Sequence, residues 1–66
     1  MKKGVLNRDL RKKDYPWLSN DLKKGKEVHE YSEYTYGCIG KDGIAVSDKP
    51  GQAPFYEVPS NSVTWN

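Results

Sequence analysis

The stretch FYEVPSNSV, residues 55–63, decides how the chain is read. Phe55 to Val58 carry aromatic and β-branched side chains that suit a pleated surface, and Pro59-Ser60-Asn61-Ser62 is turn chemistry. Val63-Thr64-Trp65 then resumes strand character, so the stretch is one strand folding over into a short final one. Upstream, Lys41-Asp42-Gly43 separates Tyr36-Gly37-Cys38-Ile39 from Ile44-Ala45-Val46-Ser47. A type I turn followed by Gly43 in the left-handed region predicts a three-residue hairpin whose arms pair antiparallel. Between these strands, Asp48 to Ala53 reads as a polar loop, because Pro50 and Gly51 break regular structure side by side.

From Lys26 to Ile39 the chain is rich in Tyr, Val, Thr and Glu and alternates like one long bent strand or two short ones, with Gly37 marking a bulge or a close backbone approach. Leu22-Lys23-Lys24-Gly25 ends on a glycine fit for a sharp reversal. The first segment, VLNRDLRKKDYPWL, is open between two forms. Leu6 and Leu10 lie four apart, with Asn7 as a cap and Pro16 as a stop, which gives two turns of helix; an extended arm is the alternative, since so short a helix is marginal unless docked. The expected class is all-β, a small five-stranded barrel over residues 14–66 preceded by a basic arm or short helix over residues 1–13. Val28, Tyr31, Ile39, Ile44, Val46, Phe55, Val58 and Val63 are the expected core.

Composition narrows the function classes. Sixty-six residues form one domain with a small core, and 35% of them are hydrophobic, eight being aromatic. The single cysteine, Cys38, leaves no internal disulfide, so a reducing cytoplasm is the expected compartment. Asn7, Arg8, Asp9 and Arg11 interrupt any apolar stretch after the basic start, and no segment has the roughly 20 apolar residues of a membrane span. The charges are sorted: residues 1–26 hold nine Lys/Arg against three Asp, a net of +6, while residues 27–66 hold two Lys against six acids, a net of −4. Such a basic front seeks phosphate or an acidic partner, or docks on its own body.

With the strands placed, VPSNSV at 58–63 resembles the Pro-Ser-Asn-Tyr turn before the last strand of SH3 domains. LKKGKEVHEY at 22–31 is similar to their diverging turn and second strand, and Asp14-Tyr15-Pro16-Trp17 sits where they carry a Tyr-Asp-Tyr run. The resemblance spans residues 14–65 and implies an SH3-like barrel, a scaffold that Tudor-like and KOW-like modules share. The departures bear on function. Ser62 stands where SH3 domains have a Tyr, no Trp pair opens the third strand, and basic residues 8–13 replace the acidic loop. Half of the aromatic ridges that grip a polyproline helix are thus missing, and the resemblance carries the barrel rather than that ligand.

Catalysis would need a nucleophile, a base and an orienting group. Cys38 and His29 are the candidates, against a reading in which Cys38 is packed and His29 lies on the surface. A structural zinc needs four Cys or His ligands and the chain has two, and Glu27, Glu30 and Glu33 mix strand faces as a solvated sheet edge would. The expectation is therefore no enzyme, no metal and no cofactor. It is instead a protein-interaction module, an adaptor or inhibitor, with a partner-binding patch of Tyr15, Trp17, Tyr36, Tyr56, Pro59 and Asn61. The alternative reading is a nucleic-acid-binding barrel that grips phosphate with Arg8, Arg11, Lys12, Lys13, Lys23 and Lys24 and stacks a base on Tyr15 or Trp17.

Overall fold

The computed structural model describes residues 2–31 and 37–66. They form a mainly β structure of five strands: β1 Lys3–Leu6, β2 Glu27–Glu30, β3 Gly43–Lys49, β4 Gln52–Pro59 and β5 Val63–Trp65. All neighbours are antiparallel, in the order β4-β3-β2-β1-β5. The expected barrel is not closed. β4 and β5 are the two ends of an open sheet, joined directly by a 3-10 turn at Ser60–Ser62.

That turn confirms the reading of 55–63. β4 runs through Pro59, the Ser62 hydroxyl donates 2.6 Å to the Pro59 carbonyl, and β5 starts at Val63. The expected polar loop contains a tighter hairpin. Lys49 pairs with Gln52 across Pro50-Gly51, where Gly51 sits at φ 66°. Proline at the first corner and a left-handed glycine at the second suit a tight two-residue turn, so the breakers sharpen the chain reversal instead of lengthening it.

The hairpin at 41–43 is not formed as expected. The turn is centred on Lys41-Asp42, closed by the Gly43 amide donating 2.9 Å to the Gly40 carbonyl, but Gly43 is the first residue of β3 and it is Gly40 that takes the left-handed conformation, φ 94°. Residues 37–39 are bends. Among the described residues β3 has β2 and β4 as its neighbours, and residues 37–39 belong to no strand. The part of that expectation falling on residues 32–36 lies outside the described residues.

The first segment departs most. Leu6 and Leu10 do not share a helix: Leu6 ends β1, which lies between β2 and β5, and Leu10 bridges to Leu22. Isolated turns take the place of a helix: Asp14 and Tyr15 both donate to the Arg11 carbonyl, and Leu18 donates to that of Tyr15. The Leu10–Leu22 bridge folds residues 7–26 into a long loop on the sheet, and Gly25 at φ 91° supplies the reversal expected of it. Leu6, Leu10 and Leu18 thereby join Val28, Val46, Val58 and Val63 in one buried cluster. Each fully buried Leu or Val contributes roughly 1.5–3 kcal/mol. Ile39, Ile44, Tyr31 and Phe55, expected inside, are half-buried.

Candidate functional site

Trp17 organises the surface. It lies on the loop between Leu10 and Leu22, half-buried, and its indole Nε1 donates to the Glu57 carbonyl at 2.8 Å. The Tyr15 ring meets it edge-on, centroids 5.6 Å apart and planes at 74°. Lys12 steadies the same turn, because its ammonium donates to the carbonyls of Leu18 at 2.7 Å and Pro16 at 3.3 Å. Indole orientation is thus fixed by a hydrogen bond, an aromatic neighbour and a stapled backbone.

Two concavities share this indole as a wall. The larger, about 550 Å³, runs between residues 17–23 and the start of β4, with Trp17, Phe55 and Tyr56 as aromatic walls and Lys23, Lys26 and Asp48 among the polar ones. The smaller, about 380 Å³, lies between Trp17, Phe55, Tyr56, Cys38 and Glu57. An apolar groove with a few fixed polar groups is the usual form of a binding site.

At the end of the larger groove, the Tyr56 hydroxyl donates 2.7 Å to Asp48, and Lys26 Nζ stands 3.3 Å from the same carboxylate oxygen. The hydrogen bond from Tyr56, helped by Lys26, holds the Asp48 carboxyl below its ordinary value of 3.8. Burial, helped by Asp48, pushes the Tyr56 phenol well above its ordinary 10.0. The signs give two pH windows. The Asp48 contribution is present above pH 3.8 and is lost as pH falls through the lowered folded value. The Tyr56 contribution is whole below pH 10.0 and is lost as pH climbs from there toward the raised folded value. Tyr56→Phe is expected to remove the alkaline limb and shrink the acid one, which Lys26 still supports, and Asp48→Asn to remove the acid limb and shrink the alkaline one, each by about 2–4 °C in Tm because the pair is partly solvated. Melting curves across the pH range check this, and superimposable wild-type and Y56F profiles would refute it.

Beneath the smaller concavity, Glu57 is 1% exposed. Its carboxylate accepts from the backbone amides of Cys38 at 3.3 Å, Ile39 at 2.5 Å and Gly40 at 3.3 Å. This pins the 38–40 bend over the end of β4. Cys38 is itself exposed, not packed as expected, while the His29 side chain is only 14% exposed and lies 3.7 Å from Glu27. Glu27 also meets Lys3 at 3.6 Å, Glu30 is buried, and β2 is an interior strand, so the expected solvated sheet edge is not found there. Among the described residues no three His, Cys, Asp or Glu converge as a metal site would require.

Of the expected patch, Tyr15, Trp17 and Tyr56 are all half-buried and pack on the same core cluster, and Trp17 and Tyr56 wall both concavities. Tyr36 lies outside the described residues. Pro59 is buried, and Asn61 is engaged elsewhere, accepting from Asn7 Nδ2 at 2.9 Å through its carbonyl and from Arg8 at 3.1 Å through its side chain. Neither lines a concavity, and Ser62, buried beneath them, cannot present a ring. Phe55 is a wall that sequence reasoning misses, because its apolar character assigns it to the core; its ring also stacks on Tyr31, centroids 4.1 Å apart.

The six cationic residues of the alternative reading lie on the two limbs of the loop that the Leu10–Leu22 bridge holds together. Arg8, Arg11, Lys12, Lys13, Lys23 and Lys24 are exposed. Lys12 is committed to the Trp17 turn, and Arg8 bonds Asn61. Among the described residues no helix is long and apolar enough to cross a membrane. Comparison of the chain with protein-family models, curated proteins and solved structures finds no match.

Proposed function

We propose that the chain is a non-enzymatic, cytoplasmic interaction module with an SH3-like sheet, and that it binds a segment of a partner protein in the groove walled by Trp17, Phe55 and Tyr56. The SH3-like reading is supported by the 3-10 turn directly before the last strand and by the reversal at Gly25 leading into β2. The binding reading rests on one observation: the Trp17 indole is fixed in place at 2.8 Å from the Glu57 carbonyl while still lining both concavities. A wall ordered before the ligand arrives adds little entropic cost on binding, and a Trp between pockets is the usual anchor of an interface.

The experiment is selection of short peptides from a displayed library, followed by titration into labelled protein. Binders are expected to move the Trp17 indole resonance, and Trp17→Ala to weaken them by about 2 kcal/mol, roughly 30-fold. Selection of no binder, or binders that leave Trp17 unmoved, defeats the reading. The pairing of two basic runs by the Leu10–Leu22 bridge favours a second reading, phosphate binding along residues 8–24. A mixed-sequence oligonucleotide titrated at two salt concentrations in the same assay separates the two, since phosphate contacts must weaken steeply with salt.

A further inference from the structure

Among the described residues β4 is an end strand of the sheet, so half of its backbone groups point away from β3. Two bonds show which half. Tyr31 donates its amide to the Ala45 carbonyl at 2.9 Å, so Ala45 faces β2, and Glu57, its partner across the other side of β3, faces outward. The Trp17 indole meets the Glu57 carbonyl from that outer side, at 2.8 Å. Antiparallel alternation then turns Phe55 and Pro59 outward with Glu57. Pro59 has no amide hydrogen, and its carbonyl accepts from the Ser62 hydroxyl. Phe55 remains, with a backbone amide and carbonyl that both point away from β3 and have no partner among the described residues.

The larger groove lies against this point of the edge. Pro54, Phe55 and Tyr56 all line it, although successive side chains of a strand point to opposite faces, so the groove takes in the edge of β4 and not one face alone. Residues 17–23 stand on its far side, where the sheet of a second copy would have to continue. Its charges cancel, since Lys26 is paired with Asp48 and Asp21 accompanies Lys23. We infer that the occupant is an extended, uncharged segment of a partner chain that adds to β4 as a further strand, exchanging two backbone hydrogen bonds with Phe55 and ending at the Trp17 indole. This mode rests on the interaction reading above and adds how the partner's backbone is held. Main-chain bonds of this kind supply affinity, and alternate side chains of the added strand supply specificity.

The test uses the intact chain, the tightest peptide from the displayed library described above, and analogues of that peptide methylated at one backbone nitrogen at a time. Methylation of the nitrogen opposite Phe55 is expected to weaken binding about tenfold, and methylation of its two neighbours, whose N–H groups face away from β4, less than about twofold. Binding should slow exchange of the Phe55 amide about tenfold. A synthetic chain with an ester in place of the Pro54–Phe55 amide keeps every side chain and loses that one donor. It should bind the unmodified peptide about tenfold more weakly, while an unaltered spectrum elsewhere shows that it is folded. A peptide that moves Trp17 yet tolerates methylation at every nitrogen overturns strand addition and leaves the groove as a peptide site. Selected peptides that are mostly charged overturn the uncharged occupant. Protection of Phe55 that rises with protein concentration alone, without peptide, assigns the edge to a second copy and overturns the inference. Selection of no peptide that moves Trp17 overturns both readings together.

Discussion

Glu57→Ala is expected to lower the unfolding free energy by about 3–5 kcal/mol, the size of effect seen when a buried, paired polar group is removed. The physical cause is on the donor side. The backbone amides of Cys38, Ile39 and Gly40 point at the Glu57 carboxylate, and each of these part-buried donors stripped of its acceptor costs toward the low end of about 1–3 kcal/mol. A chain of 66 residues has a total stability of roughly 3–10 kcal/mol, so the variant loses about a third of it or more. Glu57→Gln retains one acceptor oxygen but turns an NH2 group toward donors, and it should fall between wild type and the alanine variant. Urea unfolding measures all three, and a loss below about 1 kcal/mol for E57A would show that the bend is not held from this side chain.

Gly43 belongs to the same device. A Cβ at Gly43 would run into the Glu57 carboxylate, reaching 2.8 Å from Cδ. Gly43→Ala therefore displaces the carboxylate from its amides, and its cost should overlap with that of E57A. In a double-mutant cycle the pair is expected to be non-additive by about 1–3 kcal/mol, since either change alone already breaks the same contacts.

Neither residue announces this role in the sequence. Nothing local to Glu57 says that a distant bend will roof over that face of β4. Hydrophobic alternation and turn chemistry are local properties, and where they govern, the chain is legible: β3, β4, the 59–62 turn and β5 follow from Ile44 to Trp65. β1 is opposite in kind. Four residues with a lysine and a glycine among them have weak strand propensity, and it is pairing with β2 and β5 on both sides that makes them a strand. The candidate groove divides in the same way. Trp17 and Tyr56 are large rings that so small a core cannot hide. The union of Asp48 with Tyr56, and of Trp17 with the backbone of Glu57, depends on how the 7–26 loop lies across the sheet.

Gly4 carries the second large prediction, and its sensitivity comes from space. A Cβ there would stand 2.7 Å from the Thr64 carbonyl oxygen, 2.7 Å from Val63 Cγ1 and 2.9 Å from the Trp65 ring. The carbonyl belongs to the strand paired with β1, so it cannot withdraw without breaking that ladder. Gly4→Ala is expected to cost about 1–3 kcal/mol and Gly4→Val more, since overpacking of this kind forces the backbone to move. The loss should appear first as faster amide exchange in β5, because among the described residues that three-residue strand pairs with β1 alone. Gly25 supplies the contrast. It has φ +91°, and a Cβ added to it would meet nothing within 4 Å, so Gly25→Ala encounters only conformational strain of about 1–2 kcal/mol, and Gly25→Asn, which tolerates the left-handed region, should cost less than alanine. If Gly4→Asn proved milder than Gly4→Ala, the cause at Gly4 would be conformation, and the close approach of β5 to β1 would not be what fixes a glycine there.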